Sequence, residues 1–315
     1  MARRLSVRAA RVTALGALTV GLALVLAPAA AVAAVTASGV PSQSPTSIAT
    51  EEVTPELATF GLTSASGGAI DNRSFLALTA PPGSVIYDSV AVVNQSNAPI
   101  DLALYSADAQ NAADGAIGLP DRTVTPSDAG AWITVGASTV TVPPQSSSGI
   151  GYTVVPITIT VPADAEPGDH VAGVVTSLTA AGNAAGGDQS ATINLEQRVG
   201  LRVYITVDGP IRAGLAITDV HAVYHQADAF GLAGAGSATV TYRLTNSGNT
   251  RLTVQPTIVA SGLFGQVETG ARGDLIDELL PKASVMQTVE FTRLWPVFLD
   301  RVSVSAMVSA PVSGT

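Results

Sequence analysis

The chain contains no cysteine, and only 4% of its 315 residues are aromatic. Without cysteine it forms no disulfide bond and offers no thiolate ligand for a structural zinc ion. Its cores must therefore be built from Val, Ile, Leu and Ala, within a hydrophobic content of 47%. That content, over this length, is enough for two ordinary domains with buried cores and excludes a disordered chain.

Positive charge is also scarce. Lys282 is the only lysine, and 15 basic side chains stand against 24 acidic ones, which gives a formal net charge of −9. An acidic exterior repels nucleic-acid phosphates and anionic lipids over long range, so neither is expected as a partner. Cationic surfaces, and neutral glycans bound through local contacts, stay open as partners.

Residues 1 to 33 predict a secretory signal peptide. A segment with four arginines precedes the apolar residues 12 to 26, and Ala31-Val32-Ala33 is a small-residue cleavage site after Pro28. The competing interpretation is an uncleaved N-terminal anchor, because the apolar stretch is long enough to span a bilayer. Pro28 and the alanine-rich end favour cleavage. We therefore expect a secreted, extracellular or cell-wall-associated protein, with tethering to the membrane as the alternative.

Residues 34 to 55 are rich in Thr, Ser, Pro and Ala without periodicity, which predicts a flexible spacer. After the spacer, no segment reaches the roughly 18 unbroken apolar residues that a membrane helix needs. We therefore expect no C-terminal membrane span.

One stretch occurs twice, 152 positions apart, at residues 81–108 and 236–260. On both sides of an Asn-rich turn, apolar residues alternate with polar ones, which is the period of a β-strand. We interpret each copy as a β-hairpin whose asparagines are scaffold residues, because Asn tolerates the positive φ of tight turns. These residues are Asn94 and Asn97 in the first copy and Asn246 and Asn249 in the second. A repeat this long predicts two similar domains.

Short β-branched segments, separated by Gly, Pro and Asp, make up most of the remaining chain. This pattern predicts an all-β fold of two tandem Ig-like antiparallel β-sandwiches after a cleaved signal peptide and a flexible spacer. The domains are expected at residues 56–207 and 208–315. Residues 106–131 predict the longest irregular region of the first domain, and residues 132–135 a strand after it. The segment GDLIDELL at residues 273–280 fits either one helical turn or an extended edge.

The stretch PPGSVIYDSVAVVNQSNAPIDLALYSADA is followed by Asp114-Gly115, by Trp132 and by VPADAEPGDHVAGVV. Together these residues resemble the N-terminal domain of the WxL-interacting protein family of Gram-positive bacteria. The resemblance covers residues 60 to 207 well and the remainder loosely. It implies a first Ig-like domain associated with peptidoglycan binding and a second associated with host-ligand binding.

Asp108, Asp114 and Trp132 are the candidate binding residues, because long loops on a rigid sandwich commonly carry recognition. The VPADAEPGD stretch has turn formation as its simplest physical role. Its Pro162, Pro167 and Gly168 are therefore expected to act as scaffold residues that fix backbone angles.

No pattern in the sequence indicates a catalytic site, a cofactor or a metal ion. His221 and His225 lie four residues apart in a predicted strand, about 13 Å from each other, which is too far to share one metal ion. Five aspartates between residues 101 and 128 are spaced too widely for a compact calcium loop and are interpreted as turn caps. There is no GxSxG elbow, P-loop or dinucleotide fingerprint. Arg272-Gly273-Asp274 spells the integrin-binding tripeptide, but three residues recur by chance too easily to indicate a function.

We therefore expect a non-catalytic secreted or cell-surface protein that binds the cell wall through peptidoglycan, or binds a surface protein. The alternative is an adaptor or assembly subunit that pairs with another secreted protein through a sheet edge. A secreted hydrolase is the third hypothesis, and only the expected location favours it.

Overall fold

A computed structural model describes residues 7–8, 58–71, 73–147, 149–184, 191–226, 236–261, 267–294 and 301–310. The predicted signal peptide and spacer lie outside the described residues, apart from the two-residue strand β1 (Val7–Arg8). No described helix is long and apolar enough to cross a membrane.

The first sandwich contains strands β2 to β13 and one helical turn, α1. In chain order they are β2 (Phe60–Ser66), β3 (Ala69–Ile70), β4 (Leu76–Ala80), β5 (Val85–Asn94), β6 (Ile100–Asp108), β7 (Gln110–Asn111), β8 (Ile117–Gly118), α1 (Ala129–Trp132), β9 (Ile133–Val135), β10 (Thr139–Val142), β11 (Gly151–Thr160), β12 (Gly168–Ala184) and β13 (Ala191–Val207). One sheet has the order β3-β2-β5-β11-β9 and the facing sheet the order β10-β6-β12-β13-β4. The pairing of β4 with β13 is parallel, and the other pairings in these two sheets are antiparallel.

The second sandwich contains strands β14 to β20. They are β14 (Leu215–His225), β15 (Gly236–Asn246), β16 (Leu252–Ser261), β17 (Val267–Arg272), β18 (Ile276–Leu279), β19 (Ser284–Leu294) and β20 (Arg301–Ser309). One sheet has the order β14-β15-β19, and the other has the order β1-β20-β16-β17, with β18 also paired to β16. The prediction of an all-β fold with two Ig-like sandwiches is confirmed.

Each sandwich has its own aliphatic core between its two sheets. Along β15 and β16, buried residues alternate with partly exposed ones without a break, as expected for strands with one face toward a core. Val92 and Leu102 are fully buried in the first core, as are Leu244 and Val254 at the same positions of the repeat in the second. Burying an aliphatic side chain of this size contributes about 1.5–3 kcal/mol, so these alternating residues are the main source of stability.

The repeated stretch is not a hairpin. β5 and β6 belong to opposite sheets of the first sandwich, and β15 and β16 belong to opposite sheets of the second. Each copy is therefore an arch that carries the chain from one sheet to the facing sheet, and the hairpin interpretation is wrong. Period-two alternation cannot separate the two cases, because a strand buries alternate residues whichever sheet its neighbour in sequence joins.

Asn94 holds the first arch together from inside. It is fully buried, and its Nδ2 donates to the carbonyl oxygens of Ala98 at 2.8 Å and Val142 at 3.2 Å. Its Oδ1 accepts a hydrogen bond from the backbone N–H of Ser96 at 2.8 Å. Asn246 repeats this arrangement with the carbonyl oxygens of Thr250 and Leu279 and the N–H of Gly248.

The expected positive φ of these asparagines is not observed. Among the described non-glycine residues, only Asp219 and Lys282 have a positive φ. The asparagines of the repeat are therefore not present for a left-handed backbone. Asn94 and Asn246 instead supply a side-chain donor and acceptor that satisfy backbone groups where the chain changes sheets.

One local prediction differs from the structure, and one open alternative is decided by it. Trp132 ends the helical turn α1, and the strand begins only at Ile133. In the segment at residues 273–280, the extended alternative is the one observed, because β18 pairs with β16.

Candidate functional site

The side chain of Asp108 accepts hydrogen bonds from the backbone of its own loop. Its Oδ2 accepts the backbone N–H groups of Ser127 at 2.6 Å and Asp128 at 3.1 Å, and its Oδ1 accepts that of Gly130 at 2.7 Å. A carboxylate with three backbone donors has little capacity left for a ligand. These bonds also hold α1 in place, which explains why the helical turn replaces the first residue of the predicted strand.

Asp114 lies in an exposed turn that faces the second sandwich. Its Oδ1 accepts the N–H of Ala116 at 3.0 Å, and Gly115 beside it has a φ of +86°. A Cβ on Gly115 would lie 3.1 Å from the side chain of Ile276. The Asp114-Gly115 turn therefore contributes to the junction between the sandwiches.

Trp132 is half-buried and packs on His170, with 4.6 Å between the ring centroids. Nδ1 of His170 lies 2.9 Å from Oδ1 of Asp128, and Nε2 lies 2.9 Å from the carbonyl oxygen of Glu166. Burial lowers the pKa of His170, but these two oxygen partners outweigh it and raise the pKa above its usual value. The hydrogen bond from His170 lowers the pKa of the Asp128 carboxyl.

The three candidate binding residues thus lie near one end of the first sandwich, but the structure does not bring them together into a pocket. Asp108 caps a loop, Trp132 packs on a histidine, and Asp114 faces the neighbouring sandwich. Sequence analysis missed the group that dominates this end, namely the charged residues of the junction.

Asp169 is the central residue of the junction. It belongs to the first sandwich, is 8% exposed, and accepts hydrogen bonds from Thr250 Oγ1 at 2.8 Å and from the N–H of Arg251 at 3.0 Å, both in the second sandwich. Thr206 Oγ1 adds a third at 2.9 Å from within the first. Burial raises the pKa of Asp169, but the donors outweigh it, so the pKa is lowered and the carboxylate is ionised.

Glu278 forms a second ionic contact across the junction. Its Oε1 accepts from Arg251 Nη1 at 3.0 Å, and its Oε2 accepts from Arg202 Nη1 at 3.2 Å and from the Tyr204 hydroxyl at 2.9 Å. The Arg251 guanidinium also lies 4.2 Å above the centre of the Tyr204 ring, within the range of a cation–π contact. Arg251 therefore links carboxylates of both sandwiches.

The VPADAEPGD stretch does more than form a turn. Asn249 donates from Nδ2 to the carbonyl oxygen of Pro167 at 2.6 Å, and its own carbonyl oxygen accepts the N–H of Asp169 at 2.8 Å. Gly168 has a φ of +126°, and a Cβ there would overlap that same carbonyl oxygen. Pro162 lies away from this contact, where its carbonyl oxygen accepts the N–H groups of Gly83 and Ala165. The end of the motif therefore packs directly on the second sandwich.

The two copies of the repeat use their second asparagine differently. Asn249 holds the junction, whereas Asn97, at the same position of the first copy, is exposed and accepts a hydrogen bond from Gln145 Nε2 at 3.0 Å. The same arch therefore serves as an interface in one sandwich and as a free end in the other.

A cavity of about 60 Å³ lies at the junction, and a larger cleft of about 390 Å³ shares part of its lining. The cavity is of the size that holds water rather than a substrate. The two share Glu166 and Lys282, whose carboxylate and ammonium groups are paired at 2.6 Å. Over the described part of the chain, no group of three or more His, Asp or Glu side chains is placed to hold a metal ion.

The integrin-like tripeptide is tied to the second core. Gly273 is buried against the Tyr242 hydroxyl, and its carbonyl oxygen accepts Gln255 Nε2 at 2.9 Å. Gln287 Nε2 donates to the carbonyl oxygen of Asp274 at 2.9 Å. The tripeptide is therefore held on the body of the sandwich and not at the tip of a free loop.

A different feature is an open sheet edge. β12 and β13 pair along 17 residues each, but β4 covers only residues 203–207 on the other side of β13. In the described structure, residues 191–202 of β13 therefore have a neighbouring strand on one side only. We call this segment the β13 edge.

No family model and no curated protein matches the chain. Among solved structures, it is similar to a chain from a chaperone–tip adhesin complex of CFA/I fimbriae biogenesis, with 12% identity, a TM-score of 0.37, and coverage of 75% of this chain and 94% of that one. It is also similar to the class 5 fimbriae chaperone CfaA, with 11% identity, a TM-score of 0.36, and coverage of 75% and 99%. A chain from the Salmonella enterica SafA pilin–SafB chaperone complex follows at 11% identity, a TM-score of 0.34, and coverage of 78% and 94%.

Proposed function

We propose that the chain is a non-catalytic adaptor that holds another secreted or surface protein by strand pairing along the β13 edge. The observation that carries the proposal is the open side of residues 191–202, in a sheet that is otherwise paired on both sides of β13. The proposal takes up the sheet-edge alternative of the sequence analysis and names β13 as the strand that would pair.

An open edge exposes a row of backbone N–H and C=O groups, and natural proteins usually cover or blunt such edges. A strand added there gains a net of about 0.5–1.5 kcal/mol for each hydrogen bond, which accumulates along the strand. Leu195, on the same face of β13 as the core residue Leu201, is 45% exposed. The charged Glu196 and Arg198 lie on the opposite face. The edge therefore fits an extended partner with an apolar and a polar face.

The irregular region at residues 106–131 packs against the paired strands β12 and β13. The Leu119 side chain lies over Gly173 of β12 and Gly200 of β13, where a Cβ on either glycine would overlap it. The Tyr105 hydroxyl of β6 also donates to the carbonyl oxygen of Pro120 at 3.4 Å. The region at residues 106–131, which carries Asp108 and Asp114, thus packs against the strand that we propose to pair with a partner.

Single-cysteine crosslinking tests the proposal, because the natural chain has no cysteine to compete. Gln197→Cys places a photo-crosslinker on the β13 edge, and Thr158→Cys is the matched control on β11, which is paired on both sides at that position. Exposed to the secreted and envelope fraction of the producing cells, the Gln197 variant should form an adduct with one protein that the control does not form. No adduct, or equal adducts from both variants, would refute the proposal.

Peptidoglycan binding and membership of the WxL-interacting family stay predictions from the sequence resemblance. Co-sedimentation of residues 34–315 with insoluble peptidoglycan tests the first. A chain that stays in the supernatant at all pH and salt conditions tried rules it out.

A further inference from the structure

The two sandwiches share five strands with the same pairings. In one sheet, β2, β5 and β11 pair in the order in which β14, β15 and β19 pair in the second sandwich. In the facing sheet, β6 pairs with β12 as β16 pairs with β20. The second sandwich is thus built on the plan of the first.

The second sandwich has no full counterpart of β13, the strand that pairs with β12 on the side away from β6. β12 pairs with β13 through all 17 of its residues, but the same side of β20 is paired only at Ser305 and Ala306, with Arg8 and Val7 of β1. β20 has nine residues. Among the described residues, the other seven positions of β20 therefore have no neighbour on this side, which we call the β20 edge.

The register shows which side chains the missing strand would supply. The 152-residue offset between β6 and β16 makes Val302 and Val304 equivalent to Ala172 and Val174. Opposite these two residues, the first sandwich has Val203 and Leu201 of β13, which are 0% and 4% exposed in the core. The described part of the second sandwich has no such pair.

Three buried residues of the facing sheet lie next to this edge. Leu215, Ile217 and Val220 of β14 are each 8% exposed, more than the other buried residues of the second core. A strand beside β20 would place its inward side chains between β20 and β14, as β13 does in the first sandwich.

We propose that the β20 edge receives a donor strand from a second protein and that this strand completes the second sandwich. The donor runs antiparallel to β20 and carries aliphatic side chains at alternate positions, opposite Val302, Val304 and Ala306. β1 shows the orientation, because it lies antiparallel on this edge. This site belongs to a different sandwich from the β13 edge and is independent of it.

Two other occupants fit the structure less well. β1 covers two of nine positions and lies within the predicted signal peptide, which cleavage would remove. A second copy has β13 as the segment with the matching pattern, but its inward side chains Leu201 and Val203 are already buried in the core of their own sandwich.

A peptide with the sequence of residues 196–204, EQRVGLRVY, is the probe, because the register places it opposite all nine residues of β20. The protein is the chain without residues 1–33, carrying Ser303→Cys, and the peptide carries cysteine at the position of Arg202, which lies opposite residue 303. The peptide cysteine is supplied as a mixed disulfide with thionitrobenzoate, which the protein thiolate displaces by disulfide exchange without an added oxidant. Thr257→Cys on β16, paired on both sides, is the matched control. A second peptide has aspartate at the positions of Leu201 and Val203, which keeps the backbone but removes the aliphatic pattern.

We expect the disulfide to form at least about tenfold faster at residue 303 than at residue 257, and tenfold faster than with the aspartate peptide, because pairing raises the local concentration. Hydrogen exchange along residues 301–309 should slow when the peptide is bound. Equal rates for all pairs, with no protection of β20, would overturn the proposal. Displacement of the probe by a peptide of residues 3–11, or dimers of the chain without any peptide, would assign the edge to another occupant and would also overturn it.

Discussion

Replacing Asp169 by alanine tests whether the two sandwiches are held as one unit. The carboxylate is 8% exposed and serves as acceptor for Thr250, Arg251 and Thr206. Asp169→Ala leaves these donors without their acceptor at a buried site, while the Arg251 side chain keeps its bond to Glu278 and its contact with the Tyr204 ring. The contacts of Asp169 with Thr250 and Arg251 cross the junction, so their loss weakens the junction and leaves both cores intact.

Removing one partner of a buried ion pair costs about 3–5 kcal/mol, because the remaining charge and donors stay desolvated. Asp169→Asn keeps the shape and one oxygen acceptor but loses the charge. It should cost about 1.5–3 kcal/mol, which is the range for a hydrogen bond to a charged group. Since the pKa of Asp169 is lowered in the folded protein, the carboxylate stabilises the fold above its unfolded pKa. That contribution is lost as the pH falls through the folded pKa.

The assays, both at pH 7, are thermal unfolding measured by calorimetry and urea unfolding measured by tryptophan fluorescence. The two tryptophans are Trp132, near the junction, and Trp295, in the sequence of the second domain. The natural chain should unfold in one transition and Asp169→Ala in two, with the free energy of unfolding lowered by the amount above. Asp164→Ala, which replaces an exposed aspartate in the turn before β12, is the matched control and should change stability by less than about 0.5 kcal/mol. A double-mutant cycle with Arg251→Ala isolates the pair. A single transition and a loss below about 1 kcal/mol in Asp169→Ala would refute this account of the junction.

Three further predictions concern the arches and the junction. Asn94→Ala and Asn246→Ala should each lower the free energy of unfolding by about 2–3 kcal/mol, because each leaves buried backbone groups unpaired, while the exposed Asn97→Ala should change it little; equal effects at all three sites would contradict this. Gly168→Ala should weaken the junction as Asp169→Ala does, since its Cβ would overlap the carbonyl oxygen of Asn249 across the interface. Small-angle X-ray scattering should show a larger radius of gyration, and an unchanged scattering profile would count against this prediction. In an NMR titration, the pKa of the His170 ring should lie above its usual value. The contribution of His170 to the stability of the fold is therefore present below the unfolded pKa and is lost as the pH rises through the folded pKa. Asp128→Asn should lower the pKa of His170, and an unchanged pKa would argue against the pairing of His170 with Asp128.

The fold class followed from local pattern alone. Alternating apolar residues, turn residues at short intervals and a repeat 152 positions long are properties of the chain, and each predicts strands buried on one face. The same pattern does not indicate which sheet a strand joins. β15 and β16 alternate just as the two strands of a hairpin would, yet they lie in facing sheets, because alternation reports burial and not the identity of the neighbouring strand.

The candidate site was less accessible to sequence reasoning. Asp108, Asp114 and Trp132 do lie at one end of the first sandwich. Loop composition could not show that Asp108 caps its own loop, that Asp114 lies in a tight turn and that Trp132 packs on His170. The important partner of Asp169 is Thr250, 81 residues away, and no local signal marks a pair at that separation.

By itself, the sequence determined that this protein is made of two β-sandwiches with aliphatic cores, because periodicity and composition act locally at every residue. The tertiary structure alone decided how the two copies of the arch are used, one at a charged junction and one at a free end. It also decided which strand edges stay open, since an edge is defined by a neighbour that may lie anywhere in the chain or in another molecule. For that reason the structure, and not the sequence, locates the β13 and β20 edges where we propose that partners bind.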